Sequence, residues 1–319
     1  MKDTFARQIY YMRIAITDRC NLKCIYCRPG EIPLIPQADL LRYEELLRVC
    51  GIAANLGVKV IRVTGGEPLL RKGCVDFIKA LKGVSGIERV TLTTNGVLLQ
   101  KHLDALIEAK LDGLNVSLDA LSKARYRELT GADAFTTVWA GIQRSIASGI
   151  PVKLNFVPIR GMNQDEILPA ANLARKLPVD MRFIELMPSG ENQGMEGIAA
   201  GEVLAILKAE YKDLEEEPNR RGFGPARYFK SEKLKGSIGL ISAISDNFCL
   251  SCNRLRLTSE GFLNLCLHHN VGIDLRAMLR EGAEDEAIAS AIREGVKRKP
   301  EKHVLEEGTN LHFMSRIGG

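Results

Sequence analysis

Between residues 12 and 209, short apolar runs alternate with amphipathic segments at a steady interval. That rhythm limits the fold more than any other feature of the chain. The apolar runs fall at 12–17, 58–63, 89–94, 114–118, 152–157 and 181–186, and read as buried strands. Helical patterns fill the gaps at 40–56, 74–81, 99–109, 135–148, 165–176 and 203–209. In the first of these, Leu46, Leu47, Cys50 and Ala54 can share one face. Strands that alternate with helices in this way build βαβ units and a parallel sheet. About six units are present, fewer than a closed eight-fold barrel requires. The fold class expected is therefore α/β, a partial (β/α)6 TIM-type barrel.

The rhythm stops near residue 212. Pro218, Gly222, Gly224 and Pro225 suggest a connector, and the acidic run Glu215-Glu216-Glu217 reads as a solvated loop or helix end. Short strands are expected at 237–244, 254–258 and 261–266, and helices at 274–280 and 284–297. Residues 1–214 would form the barrel and 215–319 a smaller C-terminal lobe closing its open side. No internal repeat or low-complexity tract is visible.

Parallel α/β enzymes collect their chemistry at the C-terminal ends of strands. The first strand runs into Cys20-x3-Cys24-x2-Cys27, three cysteines within eight residues. A structural zinc site closes with four ligands, and no His or Asp follows closely enough to be the fourth. A cubane iron–sulfur cluster on three thiolates would keep one iron open for a small molecule. Gly65-Gly66-Glu67-Pro68, Thr93-Thr94-Asn95-Gly96, Ser117-Leu118-Asp119 and Glu185-Leu186-Met187-Pro188 also end strands. Glycines let a backbone approach a ligand closely and expose its N–H and C=O groups. Ser117 and Asp119 suit a ribose or a carboxylate, and Ser117 alternatively a bond to its own backbone. Met187 suits an aromatic base, or core filling.

A second set, Cys249-x2-Cys252-x13-Cys266, lies in the C-terminal part. His268 and His269 follow it, so a Cys3His zinc site and a second three-thiolate cluster both remain open on spacing. Arg254 and Arg256 point to one side of a strand beside it. They would be costly to bury without an anion, and unremarkable on an exposed edge. Cys50 and Cys74 lie on helices and read as buried structural thiols.

Composition narrows the setting. The chain has 319 residues, 45% hydrophobic and 26% charged, enough for a large core. It contains no apolar run long enough to span a membrane, and its first residues lack the apolar region of a signal peptide. With eight cysteines, a reducing, cytoplasmic setting and metal binding are expected rather than disulfides. The net charge of +5 suits a small anion, and with no Lys/Arg block it gives no nucleic-acid signature.

The cysteine spacing followed by Gly65-Gly66-Glu67-Pro68 resembles the radical S-adenosylmethionine (SAM) superfamily. Further motifs narrow this: Thr17-Asp18-Arg19-Cys20-Asn21, Leu92-Thr93-Thr94-Asn95-Gly96, Asn115-Val116-Ser117-Leu118-Asp119-Ala120, Arg182-Phe183-Ile184-Glu185, Phe248-Cys249-x2-Cys252 and the terminal Ile317-Gly318-Gly319. Together, in this order, they resemble the GTP 3′,8-cyclase family of molybdenum cofactor biosynthesis. Arg28, where that family often has Met, and a short connector after Met187 are mild departures.

The resemblance implies two [4Fe–4S] clusters, one on Cys20, Cys24 and Cys27 and one on Cys249, Cys252 and Cys266. It implies SAM contacts at Tyr26, Gly66, Ser117 and Met187. GTP contacts are implied at Arg13, Arg62, Thr93, Lys153, Arg254 and Arg256, the last two with a catalytic part. Without the resemblance, Lys153 and Arg62 would read as solvated strand charges. The implied reaction makes a 5′-deoxyadenosyl radical, takes hydrogen from C3′ of GTP and closes a ring onto C8, giving (8S)-3′,8-cyclo-7,8-dihydroguanosine 5′-triphosphate. The implied partners are a reductant such as flavodoxin or ferredoxin and a downstream cyclic pyranopterin monophosphate synthase. Neither nucleic acid nor membrane is among them; a homodimer is one option for assembly. The Gly318-Gly319 tail would enter the active site. Rival readings are another twin-cluster radical SAM enzyme acting on a peptide, and a zinc or iron–sulfur scaffold.

Overall fold

Six parallel strands form where the apolar runs predict them. They are β1 (Tyr11–Ala15), β2 (Val60–Thr64), β3 (Arg89–Thr94), β4 (Leu114–Ser117), β5 (Val152–Phe156) and β6 (Asp180–Ile184). The computed structural model describes residues 1–28, 33–188, 192, 194–218, 222–246, 248–269 and 271–302, so the Gly318-Gly319 tail lies outside the described residues. Helices α1 (Tyr43–Asn55), α2 (Cys74–Lys82), α3 (Leu99–Glu108), α4 (Lys123–Thr130), α5 (Phe135–Ala147), α6 (Ile167–Lys176) and α7 (Ala200–Glu210) cover the outer face.

The sequence periodicity misses α4, because only Tyr126, Leu129 and Thr130 of this polar segment are buried. Its ends carry the signal instead. The Ser122 side chain accepts from the Arg125 N–H, and Gly131 closes the helix in the left-handed region at φ 71°.

The C-terminal strands do not build a separate layer. They are β7 (Glu215–Glu216), β8 (Arg227–Lys230), β9 (Ser237–Ile241), β10 (Arg254–Leu257), β11 (Phe262–Asn264) and β12 (Gly272–Asp274). They join both edges of one twelve-stranded sheet ordered β12-β11-β10-β1-β2-β3-β4-β5-β6-β9-β8-β7. β10 runs parallel to β1, and β9 parallel to β6. The sheet therefore has eight parallel strands and still does not close, because antiparallel β11 and β8 occupy the outer edges of β10 and β9. Glu215 and Glu216 lie on edge strand β7 rather than in a loop, with Glu216 accepting from Arg227. Helices α8 (Leu275–Arg280) and α9 (Asp285–Lys297) pack beyond β12.

Alternation along the strands separates two environments. Met12, Ile14, Ile61, Val63, Val90, Leu92, Leu114, Val116, Leu154 and Met181 turn outward and join the helices in the main core. The alternate set is polar: Arg13, Arg62, Thr91, Thr93, Asn115, Lys153, Asn155, Arg182, Arg254 and Arg256. It lines the inside of the curved sheet, called the lumen below. The segment around Phe223 crosses the end of the lumen where the strands begin. Its ring meets Tyr10 edge-on and lies under the Arg89 guanidinium, and its carbonyl accepts from Asn253. Cys50 and Cys74 are buried. Among the described residues, no helix is long and apolar enough to cross a membrane.

The join between β6 and β9 depends on Gly236, where an added Cβ would stand 1.8 Å from the Val179 carbonyl oxygen. Neither backbone can yield without breaking the pairing. Gly236→Ala is expected to lower unfolding stability by about 3 kcal/mol or more, at or above the top of the usual overpacking range. Chemical denaturation checks this, and an unchanged midpoint would contradict it.

Candidate active site

The first cysteine loop leaves β1 through Thr17 and Arg19, and the Gly65-Gly66 turn is stapled against it. Gly66 N–H donates to Thr17 O at 2.8 Å, and Glu67 N–H to Arg19 O at 2.7 Å. A Cβ on Gly66 would fall 2.3 Å from Arg19 O. The close approach that requires glycine here is thus to the cysteine loop itself. The sequence reading ascribed it to a ligand.

Glu67 is fully buried and joins the ends of β2 and β3. Its carboxylate accepts from Leu69 N–H, Thr94 Oγ1 and Asn95 N–H at 2.7–3.0 Å. Burial outweighs these bonds and pushes its pKa up to about 7. The Asn95 side chain in turn donates to Cys20 Sγ at 3.6 Å, and Leu22 N–H donates to the same sulfur at 3.5 Å.

Cys20, Cys24 and Cys27 line one cavity of about 200 Å³ at the C-terminal ends of the strands. Tyr26, Gly66, Thr93, Ser117, Asp119, Asn155 and Met187 line it too. Tyr26 Oη donates to Asp119 Oδ2 at 2.6 Å, while Asp119 Oδ1 accepts from Val157 N–H. Burial raises Asp119 to about 6. Burial also raises Cys24 strongly, with further contributions from Asp119, Cys27 and Cys20. The three thiols therefore feel one another's charge in a dry recess. Iron that took the place of their protons would relieve that repulsion. Glu185, at the end of β6, holds the far wall: it accepts from Ala200, Ile244 and Ser245 N–H. Those bonds overcome burial and keep it below the usual carboxylate range. A second cavity, of about 230 Å³, lies between β7, β8 and β9 and contains no cysteine.

Below the first cavity the lumen is cationic. Arg256, Arg13 and Arg62 stand in one row across β10, β1 and β2, and Arg254 and Tyr11 in the row beneath. Burial pulls Arg62 down to about 10. Burial, then Arg13 and Arg254, pull Arg256 well below its ordinary value. Burial raises the Tyr11 phenol, but Arg62, Arg13 and Arg254 outweigh it and lower the group overall. Among the described residues no carboxylate pairs with Arg13, Arg62, Arg182 or Arg254, and Arg13 Nε and Arg254 Nε have no hydrogen-bond partner. Arg254 and Arg256 are thus buried beside β1, and the exposed-edge alternative does not hold. Lys153 is partnered: Nζ donates to Asp180 at 2.7 Å and to Tyr228 Oη at 2.8 Å. Arg182 bonds Asn155 and Asn115, whose Nδ2 reaches Thr93 Oγ1.

The second cysteine set sits at the opposite end. Cys249 begins a 3₁₀ turn, and Cys252 N–H donates back to its carbonyl at 3.1 Å, just before β10 starts. β10 and β11 are antiparallel with Arg256 opposite Asn264. Continuing that register brings Cys266 level with Arg254. All three thiols therefore gather where β10 begins, while the first set gathers where β1 ends. All are free cysteines. Among the described residues no three His, Cys, Asp or Glu side chains are drawn in tightly enough to hold one ion. A cubane does not require that, since each thiolate takes a different iron.

The sequence reading placed Asn95 in a strand-end motif without a role, and missed Asn155, Tyr11, Arg7 and Lys299. Alternation on the strands could have found Tyr11 and Asn155. No local pattern marks Arg7 or Lys299, which act from the chain ends.

Residues 14–174 match the Radical SAM superfamily model, and residues 179–305 match Molybdenum Cofactor Synthesis C. The chain is 45% identical over 327 residues to a GTP 3′,8-cyclase of Heliobacterium modesticaldum, covering all of both chains. It is 43% identical over 323 residues to one of Clostridium perfringens, again over all of both. Among solved structures, Streptococcus suis SuiB bound to S-adenosylmethionine superposes with a TM-score of 0.65 at 14% identity, over 89% of this chain and 68% of that one.

Glu67 gives a pH signature. Its folded pKa is raised, so the folded state binds its proton more tightly than the unfolded chain does. That contribution is fully present below about pH 4.5 and is lost as the pH rises to about 7. The metal-free protein should lose roughly 3 kcal/mol across this window relative to Glu67→Gln. Denaturation at several pH values measures it; a constant gap between the two proteins would contradict the assignment.

Proposed function

We infer the function from one premise: the chain belongs to the GTP 3′,8-cyclase family of the radical SAM superfamily. It is a radical SAM lyase of the first step of molybdenum cofactor biosynthesis, and it works with a [4Fe–4S] cluster and SAM. Membership of this family sets aside the scaffold reading.

The finer assignment is a proposal. Cys20, Cys24 and Cys27 hold the SAM-binding cluster, supported by their common cavity and the N–H···S bonds onto Cys20. SAM lies against Tyr26, Gly66, Ser117 and Met187. An ammonium needs acceptors, so the Gly65-Gly66 turn would offer carbonyls, its Gly66 N–H being committed to Thr17. Cys249, Cys252 and Cys266 hold a second cluster facing the guanine of GTP. The cluster and SAM together supply a 5′-deoxyadenosyl radical able to open a ribose C–H bond.

The chain's own part is to bind, orient and keep water out. Arg13, Arg62, Arg254 and Arg256 carry the polyphosphate through charge-assisted bonds, which are strong in a poorly hydrated lumen. Lys153 joins them only by sharing its bond to Asp180. Thr93 stands between lumen and cavity, and would orient the ribose. Arg254 and Arg256, two residues apart on β10, would stabilise the cyclised product during its final reduction. The observation that carries this reading is the buried arginine row between the two thiol sets. The electron comes from a carrier such as flavodoxin or ferredoxin, the product passes to a cyclic pyranopterin monophosphate synthase, and the setting is cytoplasmic.

Two outcomes test the proposal. Reconstituted protein should hold about eight irons, falling to about four in a Cys249→Ser, Cys252→Ser, Cys266→Ser variant. Formation of 5′-deoxyadenosine should rise on adding GTP and not on adding ATP or a peptide mixture. Separately, Arg13→Met and Arg256→Met should each lower kcat/KM for GTP by about tenfold or more, the worth of one charge-assisted hydrogen bond. Values close to wild type would remove these arginines from the substrate site.

A further inference from the structure

The second thiol set is gripped by two buried cations that come from the ends of the chain. Lys299 is 3% exposed, although lysine is seldom buried unpaired. Its ammonium donates to the Arg254 carbonyl at 3.1 Å and to the Leu265 carbonyl. The first acceptor lies two residues after Cys252 and the second one residue before Cys266. Lys299 thus spans the two strand ends that carry these cysteines. The charge of this ammonium is buried between the two cysteine-bearing strand ends. Arg7 grips the third cysteine by its backbone only. Its guanidinium donates to the Cys249 carbonyl at 2.9 Å and to the carbonyls of Pro300 and Glu301, with Asp3 as its counter-ion. Residues 299–301 and the N-terminal loop therefore close as one brace around the second site.

We propose that Lys299 is a positioning residue of the second cluster: it fixes the Cys252 and Cys266 loops together, and its buried charge between them sets the reduction potential there. The proposal rests on the reading that this thiol set holds a cluster. A buried positive charge beside a cluster favours the reduced, more negative form. The two backbone carbonyls that Lys299 bonds do not neutralise it. Arg7 meets the second cysteine set through the Cys249 carbonyl alone and is neutralised by Asp3, so it serves as the internal control.

The experiment isolates the second site in a Cys20→Ser, Cys24→Ser, Cys27→Ser background, reconstituted anaerobically and followed by iron and sulfide analysis and an EPR-monitored redox titration. The background protein should hold about four irons. If it holds none, the reading of this thiol set as a cluster site fails, and the proposal with it. Given a cluster, Lys299→Met should favour the oxidised form by at least tenfold, a fall of 59 mV for one electron. Lys299→Arg should restore most of that shift, and Arg7→Met should lower occupancy or stability while leaving the potential in place. If Lys299→Met takes up no cluster while Lys299→Arg does, the positioning role is supported. The proposal is overturned if Lys299→Met loads fully at an unchanged potential, if Lys299→Arg behaves like Lys299→Met, or if Arg7→Met shifts the potential equally.

Discussion

The structure depends on a set of guanidiniums packed where water is scarce. Arg13, Arg62 and Arg256 form one row inside the sheet, Arg254 lies just below and Arg182 across from them. Like charges that close work against the fold, and among the described residues no carboxylate pairs with Arg13, Arg62, Arg182 or Arg254. The strand alternation makes the arrangement tolerable: outward side chains next to the cations, such as Ile14, Ile61, Val63 and Met181, seal the sheet to its helices. A polyanion that bound here would offset part of that cost and so stabilise the folded chain.

Around that lumen, polar side chains act mainly as fasteners between strand ends. Glu67 ties β2 to β3, Asp119 ties Tyr26 to β5, and Glu185 ties β6 to the segment after β9. Each is a buried or half-buried carboxylate accepting backbone N–H groups, so each fixes a loop that itself makes few apolar contacts. The cysteine loop relies on this, held by the Gly65-Gly66 turn and by Asn95 rather than by a helix. A site built this way keeps its shape as long as its carboxylates remain bonded.

Much of this was legible in the sequence. The strands at Arg89–Thr94 and the helix at Cys74–Lys82 begin where periodicity put them, because their apolar spacing and caps agree. The upper cavity was legible because its residues sit in short motifs at strand ends. Three features were not. The C-terminal strands joining both edges of the sheet is a long-range pairing, and neither β9 nor β10 names its partner in its own sequence. The place of the second cysteines at the opposite end follows only from that pairing. The brace through Arg7 and Lys299 brings together side chains nearly three hundred residues apart, and local spacing carries no trace of it.

The central claim is that two thiol tripods face each other through one arginine-lined lumen, roughly one strand length apart. β1 has five residues, at about 3.3 Å each, so two reduced clusters should stand roughly 15–20 Å from each other. Pulsed EPR on fully reconstituted, dithionite-reduced protein reads that distance from the dipolar coupling between them. A coupling in this range, perturbed when GTP is added, is the predicted result. Two clusters more than about 30 Å apart, or a coupling indifferent to GTP, would contradict it.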